Sequence, residues 1–113
     1  MKQLRALPFL VLLAVITWLA LIPAPPPQAD LGWDKANHFS AFAALVLSGR
    51  WAWPQRRAWP LALALLVYGG MIELIQTQLP PREGDWRDLL ADAIGIAIGL
   101  LLCKALKRWF EAA

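Results

Sequence analysis

Charge is what this chain has least of. Only 17% of its 113 residues are charged, and there is one histidine and one cysteine. A soluble domain carries about 25% charged residues. The lone Cys103 excludes an internal disulfide and says nothing about redox compartment. No internal repeat is visible, and at this length there is room for a single domain, 1–113. What fills the space is grease: 59% of the residues are hydrophobic. The pI near 9.5 would suggest nucleic acid in a soluble protein. Here the basic residues flank apolar runs, which is a topological signal instead, and no nucleic-acid partner is expected.

The apolar runs and their breakers predict four helices, at about 5–22, 34–53, 59–79 and 86–106. The proline-rich stretch 23–27 stops the first, Pro54 the second, and Pro80 with Pro81 the third. Pro60 sits well in a first turn. A cleavable signal is the rival reading of residues 1–22. The prolines crowd the junction where a small-residue cleavage site would fall, so a retained helix is expected. The second helix is informative by its shortness. Its clean apolar part is 39–47, whereas a span needs about 20 residues. It can cross only by counting 34–38 at one end and 50–53 at the other, which forces Asp34-Lys35-x-x-His38 into the interfacial or outer-leaflet region.

Four crossings place Lys2, Arg5, Arg50, Arg56, Arg57, Lys104, Lys107 and Arg108 on one side, and only Lys35, Arg82 and Arg87 on the other. The cationic side is expected to be cytoplasmic, together with both termini. The acids divide the opposite way: Glu111 is inside, and Asp30, Asp34, Glu73, Glu83, Asp85, Asp88 and Asp92 lie toward the outside. Acids contribute little to the orientation rule, so this second split has a separate cause.

Ionisable groups at membrane depth are costly and tend to mark function. Helical spacing gives the stripes Asp34, His38, Ala41, Leu45; then Gly69, Glu73, Gln76; then Asp88, Asp92, Gly95, Gly99. Each is polar at its outer end and mostly small further in. Small residues let helices approach closely in lipid, so three helices are expected to close on a tight centre with a polar pocket at the outer mouth. Three chemistries fit the set. The acids can pair with Lys35, Arg82 and Arg87 as a structural network. His38 and a carboxylate, with Glu73 the candidate, can serve as general base and acid on a lipid headgroup. One histidine with carboxylates can hold a divalent metal, but a lone histidine is a poor metal signal and no metal or other cofactor is assigned. Asp88 also suits a helix first turn, and Asp85 has the spacing of a cap for the fourth helix. Trp33, Trp51, Trp53, Trp59, Trp86 and Trp109 fall at expected lipid–water boundaries, as an aromatic belt does.

With these residues in view, the chain resembles the VanZ-like family of small bacterial membrane proteins. The matching pieces are Asp34-Lys35-x-x-His38-Phe39-x-x-Phe42, Glu73-Leu74-x-Gln76, Arg82 with Asp88 six residues on, then Asp92, Gly95 and Gly99. They cover roughly residues 34–99. The family pattern commonly has Asn where this chain has Asp92. The resemblance implies a multi-pass protein of the bacterial cytoplasmic membrane and cell envelope. The family's namesake is associated with low-level resistance to the glycopeptide teicoplanin. Neither an established reaction nor a catalytic residue comes with it. The expectation is an all-α integral membrane bundle. Asp34, Lys35, His38, Glu73, Gln76, Arg82, Asp88 and Asp92 form its ligand-binding set, and membrane lipids or a lipid-linked cell-wall precursor are its partners. Two alternatives stand beside it: an intramembrane enzyme using His38 and Glu73, and a structural or partner-docking bundle.

Overall fold

A computed structural model describes residues 2–22, 34–79 and 85–112. Every regular element among the described residues is an α-helix. A single turn, α1 (Lys2–Arg5), leads into α2 (Leu7–Leu21), followed by α3 (Asp34–Ala52), α4 (Ala58–Gln76) and α5 (Trp86–Ala112). The chain is thus an all-α bundle of four helices with one extra turn at its start.

Local chemistry explains the boundaries. A proline sits in the opening turn of α2, where its missing N–H is not needed. Pro54 follows the end of α3. The end of α4 tightens into a turn, with Thr77 N–H donating to the Glu73 carbonyl and Gln78 N–H to the Ile75 carbonyl. This finishes the helix three residues before the expected 79. By contrast, α5 runs six residues past the expected 106, because nothing between Lys104 and Ala112 breaks a helix.

The core is a cluster of Phe9, Phe42, Leu45, Val46, Leu65 and Ile96, drawn from α2, α3, α4 and α5. The closest pair is α3 with α5, which share the most extensive contact. Glycines make it close: a Cβ on Gly95 would lie 2.7 Å from the Phe39 carbonyl oxygen, and one on Gly99 would lie 2.8 Å from Val46 Cβ. The expected small-residue seam is therefore the α3–α5 interface. These two helices enter the bundle from the same end, since Lys35 lies level with Asp88, His38 with Asp92, and Val46 with Gly99.

The first helix is integrated with the rest. Phe9 is buried and packs edge-on to Trp53 at 5.3 Å. Further along α2, Thr17 Oγ1 donates to the Leu13 carbonyl at 2.7 Å, so its one proton is used. The Tyr68 hydroxyl 2.5 Å away is then the donor in the Thr17–Tyr68 contact, which joins α2 to α4. At the opposite end Arg5 Nε donates to the Trp51 carbonyl at 3.1 Å, and its guanidinium lies 4.7 Å from that indole ring.

The outside of the bundle is apolar. Leu63, Val67, Met71 and Leu74 form an exposed stripe along α4, with Leu74 at 70% exposure, and Leu90, Ile94, Ile98 and Leu101 form another along α5. Water does not favour such continuous surface; a lipid phase accepts it. Among the described residues, two helices are long and apolar enough to cross a membrane: α4 (mean hydropathy 1.7) and Trp86–Trp109 of α5 (mean hydropathy 2.1). The other two fall short of the four expected spans for separate reasons. At 15 residues, α2 is apolar but short, about 22 Å at 1.5 Å per residue. With 19 residues α3 is long enough, but it carries Asp34, Lys35, His38 and Arg50.

Candidate functional site

The polar residues of α3, α4 and α5 converge at one end of the bundle. Lys35 and His38 are one turn apart on α3, and Asp88 and Asp92 are one turn apart on α5, so the two pairs meet level by level. At the outer level the Lys35 ammonium donates to Asp88 Oδ1 and lies 3.5 Å from Asp85 Oδ2. One turn deeper, His38 Nδ1 is 2.6 Å from Asp92 Oδ1. The other ring nitrogen, Nε2, faces Asp88 Oδ2 at 3.6 Å, an electrostatic contact too long for a hydrogen bond. With Asp92 ionised, a carboxylate that only accepts, the Nδ1–H is the donor.

Glu73 comes in from α4. Its Oε2 accepts the Asp85 backbone N–H at 3.0 Å, while its Oε1 is buried and has no hydrogen-bond partner among the described residues. One ligand-capable atom from each of His38, Glu73 and Asp92 lies within 4.8 Å of the other two. Asp92 is 1% exposed and Glu73 8%, with Asp88 similarly buried. Room for the Asp92 carboxylate comes from Gly69: a Cβ there would stand 2.5 Å from Asp92 Oδ2. The glycine on the α4 stripe therefore serves the acid on α5.

Asp85 does more than cap. Its Oδ1 accepts the Arg87 N–H at 2.9 Å, the expected cap of α5, while its backbone N–H holds Glu73. That Arg87 N–H, followed by the Lys35 and Arg87 charges, keeps the exposed Asp85 carboxyl below the usual aspartate value. Sequence spacing revealed the cap; the link to Glu73, twelve positions earlier, has no local signal.

The other expected site residues are placed as follows. Gln76 is buried, and its Nε2 donates to the Ala20 carbonyl of α2 at 2.9 Å, a contact that ties α4 to α2 outside the carboxylate–imidazole group. Arg87 is exposed, with its guanidinium 5.9 Å from the Trp86 ring. Asp34 opens α3, but its side chain lies outside the described residues, and Arg82 lies outside them altogether. So does Trp33, whereas Trp51, Trp53, Trp59, Trp86 and Trp109 are all exposed.

Chemically, the group offers an imidazole oriented by one carboxylate and flanked by a second, a third carboxylate with an unused oxygen, and one ammonium. It can accept hydrogen bonds, relay a proton or ligate a cation.

Fold and site together define a small helical membrane-associated protein with a buried charged group between three helices. The model of the family described as VanZ/LLP1 matches residues 27–108, a region that contains every residue of that group. The chain belongs to the VanZ/LLP1 family. It is also similar to an uncharacterized protein of the fission yeast Schizosaccharomyces pombe, at 35% identity over 98 residues. That alignment covers 83% of this chain and 59% of the yeast protein, so the chain spans about three-fifths of that relative's length. No solved structure matches the chain.

Proposed function

We propose that this protein is a multi-pass protein of the bacterial cytoplasmic membrane that binds the headgroup of a membrane lipid in a polar rim on the non-cytoplasmic side. One observation carries the reading: Lys35, His38, Glu73, Asp88 and Asp92 gather at one end of a bundle whose outside is apolar. Buried ionisable groups in such a setting are expensive and face a pathway or a partner. Arg5 and Arg50 donate to backbone carbonyls at the opposite end, and the rule that cationic ends face the cytoplasm supports an outward rim with both termini in the cytoplasm. In this reading α2 and α3 also cross, α3 by virtue of its interfacial ends.

The headgroup is that of a phospholipid or of a lipid-linked cell-wall precursor, two classes that the retention test below separates. A role in glycopeptide resistance would follow from an altered envelope lipid and is secondary to binding. A second reading, an intramembrane enzyme, is favoured by the 2.6 Å His38–Asp92 pair with Glu73 beside it, the arrangement that general acid–base catalysis on a headgroup requires. In the third, a structural or docking bundle, the ion pairs only fix helix contacts.

Native mass spectrometry of the purified protein, incubated with phosphatidylglycerol, phosphatidylethanolamine or a polyprenyl phosphate, separates these readings. Selective retention of one class by wild type, reduced at least tenfold in Lys35→Ala and Arg82→Ala, is the expected result. A change in mass of the retained lipid that His38→Ala abolishes would move the assignment to the enzyme. Equal, weak retention of all three classes by every variant would leave the structural bundle.

A further inference from the structure

We propose that His38, Glu73 and Asp92 form a binding site for a divalent transition-metal ion of the Zn2+ or Mn2+ type. The inference deepens the headgroup-binding reading and rests on it only for what the ion does, not for whether it binds.

The residue types come first. One imidazole and two carboxylates are a ligand set for borderline divalent ions, with room left for water or a substrate oxygen. Their positions come next. Three separate helices deliver ligand-capable atoms to within 4.8 Å of one another. At metal–ligand bonds of about 2.0–2.2 Å, the donors of a tetrahedral site lie about 3.4 Å apart. The three are already gathered to within a side-chain adjustment of that spacing.

An independent sign of a missing partner comes from Glu73. This side chain is 8% exposed, and its Oε1 has no hydrogen-bond partner among the described residues. A buried acceptor left unmade is costly and calls for an explanation. A cation bound by this group supplies one.

Charge points the same way. Among the described residues, the carboxylates of Glu73, Asp85, Asp88 and Asp92 gather around a single ammonium, Lys35, and one imidazole. Carboxylate oxygens gathered this closely, with little water to screen them, favour a cation. A divalent ion is the compact remedy.

The surroundings also suit a metal. Metal-bound histidines usually have a carboxylate at the second ring nitrogen, which fixes the ring. Ligation through Nδ1 beside Asp92 needs the other His38 tautomer, with the proton on Nε2; that nitrogen faces the Asp88 carboxylate at 3.6 Å, which Lys35 holds in place. Gly69 leaves the space that the Asp92 carboxylate occupies.

The ion answers a difficulty in the headgroup reading. An acidic rim repels an anionic phosphate. A bound divalent cation inverts the local sign and offers its open position to a phosphate oxygen. Lys35, which pairs with Asp85 and Asp88, then keeps the carboxylates around the ion in place, so Lys35→Ala still weakens headgroup retention.

The test uses the full chain in nanodiscs, stripped with chelator and then exposed to Zn2+ or Mn2+ alone. After dialysis against metal-free buffer, elemental analysis counts the ions. About one ion per chain is expected, with affinity falling at least tenfold in Glu73→Gln and His38→Ala and holding in Asp85→Asn. Co2+ added to the wild type gives visible absorption bands of a low-symmetry site, a readout that needs no variant to fold. Fewer than about one-tenth of an ion per chain, with no such bands, would overturn the proposal and leave a proton shared between Glu73 and Asp92 as the explanation. Retention unchanged in Glu73→Gln would overturn it as well. Failure of the headgroup reading is distinguishable. Stoichiometric metal without lipid selectivity sinks that reading alone, and lipid selectivity with no ion retained and no Co2+ bands sinks the metal site alone.

Discussion

Asp92 is 1% exposed, and the atom that answers its charge is His38 Nδ1. Deleting one partner of a buried pair leaves an uncompensated charge, which costs about 3–5 kcal/mol. His38→Ala is therefore expected to lower stability by about that much, read as a drop in melting temperature in nanodiscs. Asp92→Asn keeps the volume and an acceptor oxygen, so its loss is expected to be smaller, about 1–3 kcal/mol. A larger loss in Asp92→Asn than in His38→Ala would contradict the pairing. This also accounts for the departure from the family pattern: the position requires an acceptor toward the imidazole, and an amide or an ionised carboxylate supplies one. That His38, Glu73 and Asp92 come together at one end of the bundle was legible from helical spacing, because buried charges in an apolar chain have few places to go. The partner choice of Gln76 was not legible. Nothing in the neighbourhood of Gln76 or Ala20 marks a side chain that will reach a carbonyl 56 residues away. The Thr17–Tyr68 bond, spanning 51 positions, is of the same kind.

Among the elements, α3 and α5 depend on Gly95 and Gly99. A methyl group on Gly95 meets backbone, the Phe39 carbonyl oxygen at 2.7 Å, so a helix must move. Overpacking of this sort costs about 1–3 kcal/mol, against a gain of about 0.5–1 kcal/mol from replacing a mid-helix glycine by alanine. Gly95→Ala is expected to melt earlier than wild type. On α4, Gly70 has nothing within 4 Å of a Cβ, so Gly70→Ala keeps the full propensity gain and is expected to match or exceed wild type. If both variants shift equally, Gly95 has no special place in the seam. The stripe of small residues was readable in the sequence, and so was each helix with an external breaker. The ends of α4 and α5 were not. They depend on a turn stabilised by its own hydrogen bonds and on a polar tail that stays helical, and neither leaves a clear mark in hydropathy.

For the molecule as a whole, two gradients coincide. Apolar side chains cover the outside of the bundle, and charge divides between its ends, with the carboxylate-rich group at one and Arg5, Arg50 and Arg56 at the other. Class and element number were legible from composition and breakers. The number of crossings was less so: α4 and α5 meet the length and hydropathy of a span, while α2 is short and α3 spends its ends on charge. Orientation decides whether the polar rim can serve an outward-facing function, and one measurement reads it. Gln78 is exposed near the rim, and Gln55 is exposed in the connection at the opposite end. In a Cys103→Ser background, Gln78→Cys and Gln55→Cys are treated in intact cells with a membrane-impermeant maleimide. Labelling of Gln78→Cys in intact cells, with Gln55→Cys labelled only after permeabilisation, is the predicted pattern. The reverse pattern, or free labelling of both, would contradict an outward polar rim.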